Sequence, residues 1–174
     1  MDNWYLLTLV GKDQPGIVAR LSTALCRGGC NLGESSMARL GSNFTIMLMV
    51  QYDGTAQDLD NMVGPVAETL GLRRHVDPVE GGEHFLIQPN IRVSVYCPDR
   101  PGIMEEVTGI LAEAGLNILH LDSNMGLKEN TATYYIHIEG VASNGIEPLY
   151  DALEVLSREK KMQTQLIPID TLLG

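Results

Sequence analysis

The sequence predicts an α+β chain made of two copies of one βαββαβ unit, and three observations carry that prediction. The first is a repeat. Gly11-Lys-Asp-Gln-Pro-Gly-Ile17 returns as Cys97-Pro-Asp-Arg-Pro-Gly-Ile103, so Asp99 stands 86 residues beyond Asp13. In the same register Leu25 meets Leu111, Gly29 meets Gly115 and Asn31 meets Asn117. The second is the apolar period, which switches between strand and helix in the same order in both halves. The third is the placement of Gly and Pro at each switch.

Taken in order, Trp4 to Val10 is an apolar run of strand length, ended by Gly11. Pro15 then reads as a first-turn helix residue, where its missing N–H is no loss. Ile17, Leu21, Ala24, Leu25 and Gly28 keep helical spacing as far as Gly28-Gly29. Leu32 to Leu40 and Phe44 to Tyr52 read as strands around a Gly41-Ser-Asn43 hairpin turn. Thr55 to Leu70 is an amphipathic helix that Gly64-Pro65 should kink or divide, with Gly71 as its cap. Leu72 to Val79 makes a short fourth strand.

The second copy runs strand Ile91–Tyr96, helix Pro101–Ala114, strands Asn117–Gly126 and Thr131–Glu139, a helix near Ile146–Glu159 and a closing strand Met162–Ile169. Its hairpin reads as about two residues longer, because Thr45-Ile-Met matches Thr133-Tyr-Tyr at a displacement of 88. The order is that of the ferredoxin-like split βαβ unit, with both helices on one face of a four-stranded antiparallel sheet. We expect one domain over residues 1–80, a linker over 81–89 centred on Glu80-Gly-Gly-Glu83, and a second domain over 90–174. An uncovered apolar sheet edge is a liability, so association between sheets and between chains is expected as well.

The balance of charge narrows the function. The net charge is −10, and neither half is basic: residues 1–86 carry 10 acids and 6 bases, residues 87–174 carry 12 and 6. Neutralising phosphates takes clustered Lys and Arg, so direct nucleic-acid binding and attachment to an anionic membrane are disfavoured. No apolar run approaches the roughly 20 residues of a membrane helix, and Met-Asp-Asn-Trp-Tyr is not a signal peptide start. The cytoplasm is the expected compartment.

The two loops are the places where chemistry can occur. Pro presets the first helical turn and Gly lets a ligand come close to the backbone. The Gly16 and Ile17 amides then face outward at the positive end of a helix dipole, a seat for a carboxylate. Asp13 sets a negative charge beside it, suited to an ammonium, and Asn31 can both donate and accept. A free α-amino acid satisfies that combination. The second copy repeats it with Asp99, Gly102, Ile103 and Asn117. A second reading stays open on the same residues: Asp before Pro-Gly shapes turns, and Asn after a helix-ending Gly satisfies stray backbone groups.

Nothing in the chain reads as catalytic. No Gly-x-Ser-x-Gly elbow, P-loop or dinucleotide fingerprint occurs. His75, His84, His120 and His137 are scattered, and His120 and His137 read as packed or hydrogen-bonded strand residues. Glu105-Glu106 reads as a solvated helix face, and the alternating Met47 and Met49 as core. Cys26, Cys30 and Cys97 lack the partners of a zinc site and read as small buried or half-buried thiols, although the helix start behind Cys97 could lower its pKa. No cofactor and no metal is expected.

Asp-x-Pro-Gly-Ile after a strand, a helix ending in Gly-x-Asn-Leu or Gly-x-Asn-Ile, and the βαββαβ order are similar to the ACT regulatory domain, twice over. The first copy more narrowly resembles the glycine cleavage system transcriptional repressor family, through Gly11-Lys-Asp-Gln-Pro-Gly-Ile-Val18, Gly29-Cys-Asn31, Met37-Ala-Arg-Leu-Gly41 and Phe44-Thr-Ile-Met-Leu48. That resemblance implies a non-catalytic sensor of a small amino acid such as glycine, with ligands at domain or subunit interfaces. Carried over by position, the site residues are Gly11, Asp13, Gly16 and Asn31, and Cys97, Asp99, Gly102 and Asn117. It also implies a homo-oligomer that acts by contacting a DNA-binding transcriptional activator. A ligand-free interaction module and a detached regulatory subunit of a metabolic enzyme are the alternatives.

Overall fold

The computed structural model describes residues 3–80, 87–128 and 131–169. The chain divides into two compact units, one ending at residue 84 and one starting at 85. That division, most of the expected linker and the hairpin turn at 129–130 lie outside the described residues.

The first unit runs β1 (Asn3–Lys12), α1 (Ile17–Arg27), β2 (Asn31–Leu40), β3 (Asn43–Tyr52), α2 (Ala56–Thr69) and β4 (Arg73–Val79). The second runs β5 (Ile91–Pro98), α3 (Ile103–Glu113), β6 (Leu116–Lys128), β7 (Thr131–Ala142), α4 (Glu147–Lys160) and β8 (Gln163–Pro168). The sheets have the orders β2-β3-β1-β4 and β6-β7-β5-β8, with every neighbouring pair antiparallel. Each unit is therefore the α+β, ferredoxin-like βαββαβ fold that the sequence predicts.

Alternation along the strands explains why the helices lie where they do. Tyr5, Leu7 and Leu9 on β1 and Phe44, Ile46, Leu48 and Val50 on β3 point to one face. They meet Ile17, Leu21 and Leu25 from α1 and Leu59, Val63 and Ala67 from α2 in one core. The second core repeats this with Val93, Val95, Ile136 and Ile138 under Ile103, Val107, Leu111, Leu149 and Leu153. Burying each such side chain contributes about 1.5–3 kcal/mol. Met47 and Met49 do not join this core. They point to the opposite face of the sheet, Met47 46% exposed and Met49 half-buried, because Ile46, Leu48 and Val50 take the inward positions.

Three local expectations need correction. First, neither Pro15 nor Pro101 begins a helix. Gly16 (φ 86°, ψ 6°) and Gly102 (φ 85°, ψ −1°) are left-handed N-caps. Those angles belong to the third position of a type II turn, and proline suits the position before it. Second, α2 is continuous through Pro65 and is not divided. Its start is fixed by a capping box in which Thr55 accepts from the Asp58 amide and Asp58 accepts from the Thr55 amide. Third, the second hairpin is four residues longer, not two. Gly11 pairs with Phe44 while Cys97 pairs with Tyr134, and Leu7 with Leu48 while Val93 pairs with Ile138. The offset is thus 86 as far as β2 and β6 and 90 from β3 and β7 onward. A displacement wrong by two keeps every side chain on its correct face, so the alternation could not reveal the error.

Candidate functional site

The β1–α1 loop of the first unit is closely tied down. Gly11 has no room for a side chain: a Cβ there would stand 2.6 Å from Leu72 Cδ2 and 3.0 Å from the Gly71 carbonyl oxygen. The Asp13 amide donates to the Ser42 carbonyl at 2.9 Å, and Gln14 Nε2 donates to the Leu70 carbonyl at 2.7 Å. Asp13 Oδ2 also lies 2.9 Å from Arg39 Nε, an ion pair to the end of β2. No side chain caps α1, whose ladder begins with the Arg20 amide donating to the Gly16 carbonyl. The Gly16, Ile17 and following amides precede that ladder at the positive end of the dipole. The side chain of Ile17 is buried in the core, so only its backbone belongs to the loop.

The loop of the second unit has the same backbone and different neighbours. Gly102 is left-handed, α3 has no side-chain cap, and its first ladder bond runs from the Glu106 amide to the Gly102 carbonyl. Ile103 is buried like Ile17. Asp99 is exposed and makes no ion pair among the described residues. The residue matching Arg39 in the sheet register is Met125, opposite Tyr134 as Arg39 is opposite Phe44. Arg100 instead reaches Glu106, which also holds Lys160 Nζ at 2.7 Å. Those two cations hold the Glu106 carboxyl below its ordinary range, Lys160 first and Arg100 second.

Cys97 is placed differently from what a ligand residue needs. It is 4% exposed and packs in the second core. Burial pushes its thiol pKa up, against a smaller opposing effect of Arg100, so the helix start behind it does not activate it. What Cys97 and Gly11 present to their loops is backbone.

Asn31 and Asn117 do not join the loops of their own units. Asn31 pairs with Gln51, and Gly11 with Phe44, so seven residues of β3 separate them. Asn117 pairs with Val141 and Cys97 with Tyr134, again seven residues apart. At about 3.3 Å per residue, that is roughly 23 Å, the length of the sheet. Asn31 sits instead beside a shallow polar pocket of about 170 Å³ with Gly29, Gln51 and Asp53, and its Nδ2 donates to Gln51 Oε1 at 3.1 Å. A single unit therefore brings together the aspartate, the left-handed glycine and the open helix start, and leaves the asparagine at the far end.

Three of the four histidines have structural partners, His75 with Asp77 Oδ1 at 2.9 Å among them, and His84 lies outside the described residues. His137 Nδ1 is 3.1 Å from Ser94 Oγ, and His120 Nε2 is 2.7 Å from an Asp122 carboxylate oxygen. No cluster of His, Cys, Asp or Glu fit to hold a metal occurs among the described residues. No helix among them is long and apolar enough to cross a membrane.

Models of the ACT domain match residues 4–77 and residues 91–158, one in each unit. The chain belongs to the ACT-domain family. It carries two ACT domains in tandem, and the strand-to-helix loops described above open the first helix of each. The chain is 25% identical over 165 residues to the glycine cleavage system transcriptional repressor of Escherichia coli (strain K12), covering 94% of this chain and 86% of that protein. A repressor of the same name from Shigella flexneri matches equally. A protein of unknown function from Galdieria sulphuraria shares the fold at a TM-score of 0.77 and 21% identity, over 97% of this chain and 99% of that one. A solved structure with the provisional name glycine cleavage system transcriptional repressor shares it at 0.73 and 20% identity, over 97% and 98%.

Proposed function

We propose that this tandem ACT protein is a non-catalytic regulator that binds a small amino acid, glycine or one of similar size, at its strand-to-helix loops. The bound ligand shifts the population of a surface that contacts a DNA-binding transcriptional activator. The observation that carries the reading is the pair of uncapped helix starts behind left-handed Gly16 and Gly102, each with an aspartate three residues before the glycine. Free amides at a helix start suit a carboxylate, and an adjacent acid suits an ammonium. The likeness to repressors of the glycine cleavage system supports the choice of ligand and of partner class. The acidic net charge fits regulation through protein contact.

The second loop is the better receptor, since Asp99 makes no ion pair among the described residues. In the first loop Arg39 already neutralises Asp13, which favours a scaffolding role for that copy. Calorimetry with glycine, serine and alanine should show saturable binding that weakens in Asp99→Ala. Pull-down of a DNA-binding activator should change between ligand-free and glycine-saturated protein. No heat with any proteinogenic amino acid removes the sensor reading and leaves a ligand-free interaction module.

A further inference from the structure

We infer that the outer helix face of the first unit docks onto the outer helix face of the second unit in another copy of this chain. The two faces are built at matching positions and carry opposite charge.

On the first unit, α1 and α2 border a groove of about 470 Å³ floored by Ala24, Pro65 and Val66 and flanked by Arg20 and Arg27. Helix α1 carries no acid. Arg39, Arg74, Arg92, Arg100 and Arg158 are all ion-paired, whereas Arg20, Arg27 and Arg73 pair with no carboxylate among the described residues, and of these three Arg20 and Arg27 line the groove. In a chain of net charge −10, two unpaired arginines around an apolar groove form a local field of the opposite sign.

The second unit presents the negative of that face. The buried residues Ile17, Leu21 and Leu25 of α1 correspond to Ile103, Val107 and Leu111 of α3, so the outward faces correspond as well. Ala19, Arg20 and Arg27 are thereby replaced by Glu105, Glu106 and Glu113, and Thr23 by Gly109, with Glu106 already held by Arg100 and Lys160 of its own unit. At the offset of 90, Thr69 becomes Glu159. Glu105, Glu113 and Glu159 are exposed and make no ion pair among the described residues. Glu113 ends its helix, where the dipole disfavours an acid and no base lies in the last turn.

Gly109 supplies a separate argument. It lies in the middle of α3, between Glu105 and Glu113 on one stripe, and a Cβ there would meet nothing within 4 Å. Nothing in its own unit requires glycine, which lowers helix stability relative to alanine. Close approach of a neighbour accounts for it. Arg20 and Arg27 are seven residues apart and Glu105 and Glu113 eight, about 10–12 Å along either helix. Seating of α3 in the groove thus sets Glu105 and Glu113 against Arg20 and Arg27, with Gly109 between the two pairs. Each copy owns both faces, so each can supply either side of the contact.

Sedimentation equilibrium of the full chain tests this. The wild type should dimerise at micromolar concentration in low salt and weaken as salt rises. Arg20→Glu/Arg27→Glu and Glu105→Arg/Glu113→Arg should each self-associate at least about tenfold more weakly. An equimolar mixture of the two variants should form dimers again, since each reversed face meets its complement. That recovery also shows that both variants are folded. A monomeric wild type, reversal variants that associate as well as the wild type, or a mixture that stays monomeric would each overturn the proposal.

Discussion

Arg39 Nε stands 2.9 Å from Asp13 Oδ2, and the position of Arg39 in the other sheet is held by Met125, 63% exposed. The first loop thus contains its own cation in the place where the second has none. The pair bridges the β1–α1 loop to the end of β2, and both partners are substantially exposed.

Replacing Arg39 with Met, the residue of the second copy, should free Asp13 without unsettling the fold. We expect a stability change within about 1 kcal/mol, the range of exposed ion pairs. In an Asp99→Ala background, where only the first loop reports, Arg39→Met should raise the affinity for an amino acid in calorimetry. Unchanged affinity would mean that Arg39 does not compete with a ligand.

Gly16→Ala and Gly102→Ala should each destabilise their own unit. Both glycines have φ near 85°, and a side chain in the left-handed region costs about 1–2 kcal/mol. For a unit of this size we expect a loss of roughly 4–8 °C per kcal/mol in the melting of that unit alone. Calorimetric scanning with two resolvable transitions reads this directly, and an unaltered scan would contradict the left-handed assignment.

Glu106 gives a pH dependence with a definite sign. Lys160 and Arg100 hold its folded-state pKa below the unfolded value. Its contribution is therefore present above the ordinary carboxylate range, about pH 4.3, and lost as pH falls through the lowered value. Chemical denaturation should find wild type and Glu106→Gln converging in stability as the pH is lowered through that range. Parallel curves down to the acid limit would rule out the network as the cause.

The three thiols should separate by rate. Cys26 is exposed, contrary to its expected burial, because it lies on the outer side of α1, whereas Cys30 is half-buried and Cys97 buried, with both of the latter pushed upward by burial. A thiol reagent at pH 8 should modify one cysteine fast and two slowly, the slow pair reacting freely only in denaturant. Fast labelling of Cys97 in the native protein would show that its core is open.

Element order and the core were legible in the sequence because period 2 and period 3.6 are written by the same residues that fill the interior, from Leu7 and Leu9 to Leu21 and Leu25. The family was legible too, through the repeated Asp-x-Pro-Gly-Ile. The composite site was not. Asp13 and Asn31 lie 18 residues apart in the chain with α1 between them, and one pass of a helix returns the chain to the far end of the sheet. Motif spacing carries no sign of which end. The partner of Asp13 was hidden for a related reason, since Arg39 reaches it across the hairpin, and no local pattern marks an exposed arginine on a strand. Pro65 was misjudged because its cost depends on whether neighbours hold the helix together. Here Val63, Gly64 and Ala67 anchor both sides of it in the core.

The change of offset at the hairpin tip dictates how the two halves can be recombined. Residues up to Leu40 find their counterparts 86 places on, and residues from Asn43 find theirs at 90. A chimaera that crosses over inside β2 and β6 at an offset of 86, or inside β3 and β7 at 90, keeps one parent's whole tip and leaves every pair of the ladder matched. A splice at the turn itself joins a short arm to a long one, and its two surplus residues must be absorbed as a bulge or as slippage. Engineers grafting one receptor loop onto the other scaffold should therefore cut within the ribbon and not at its tip.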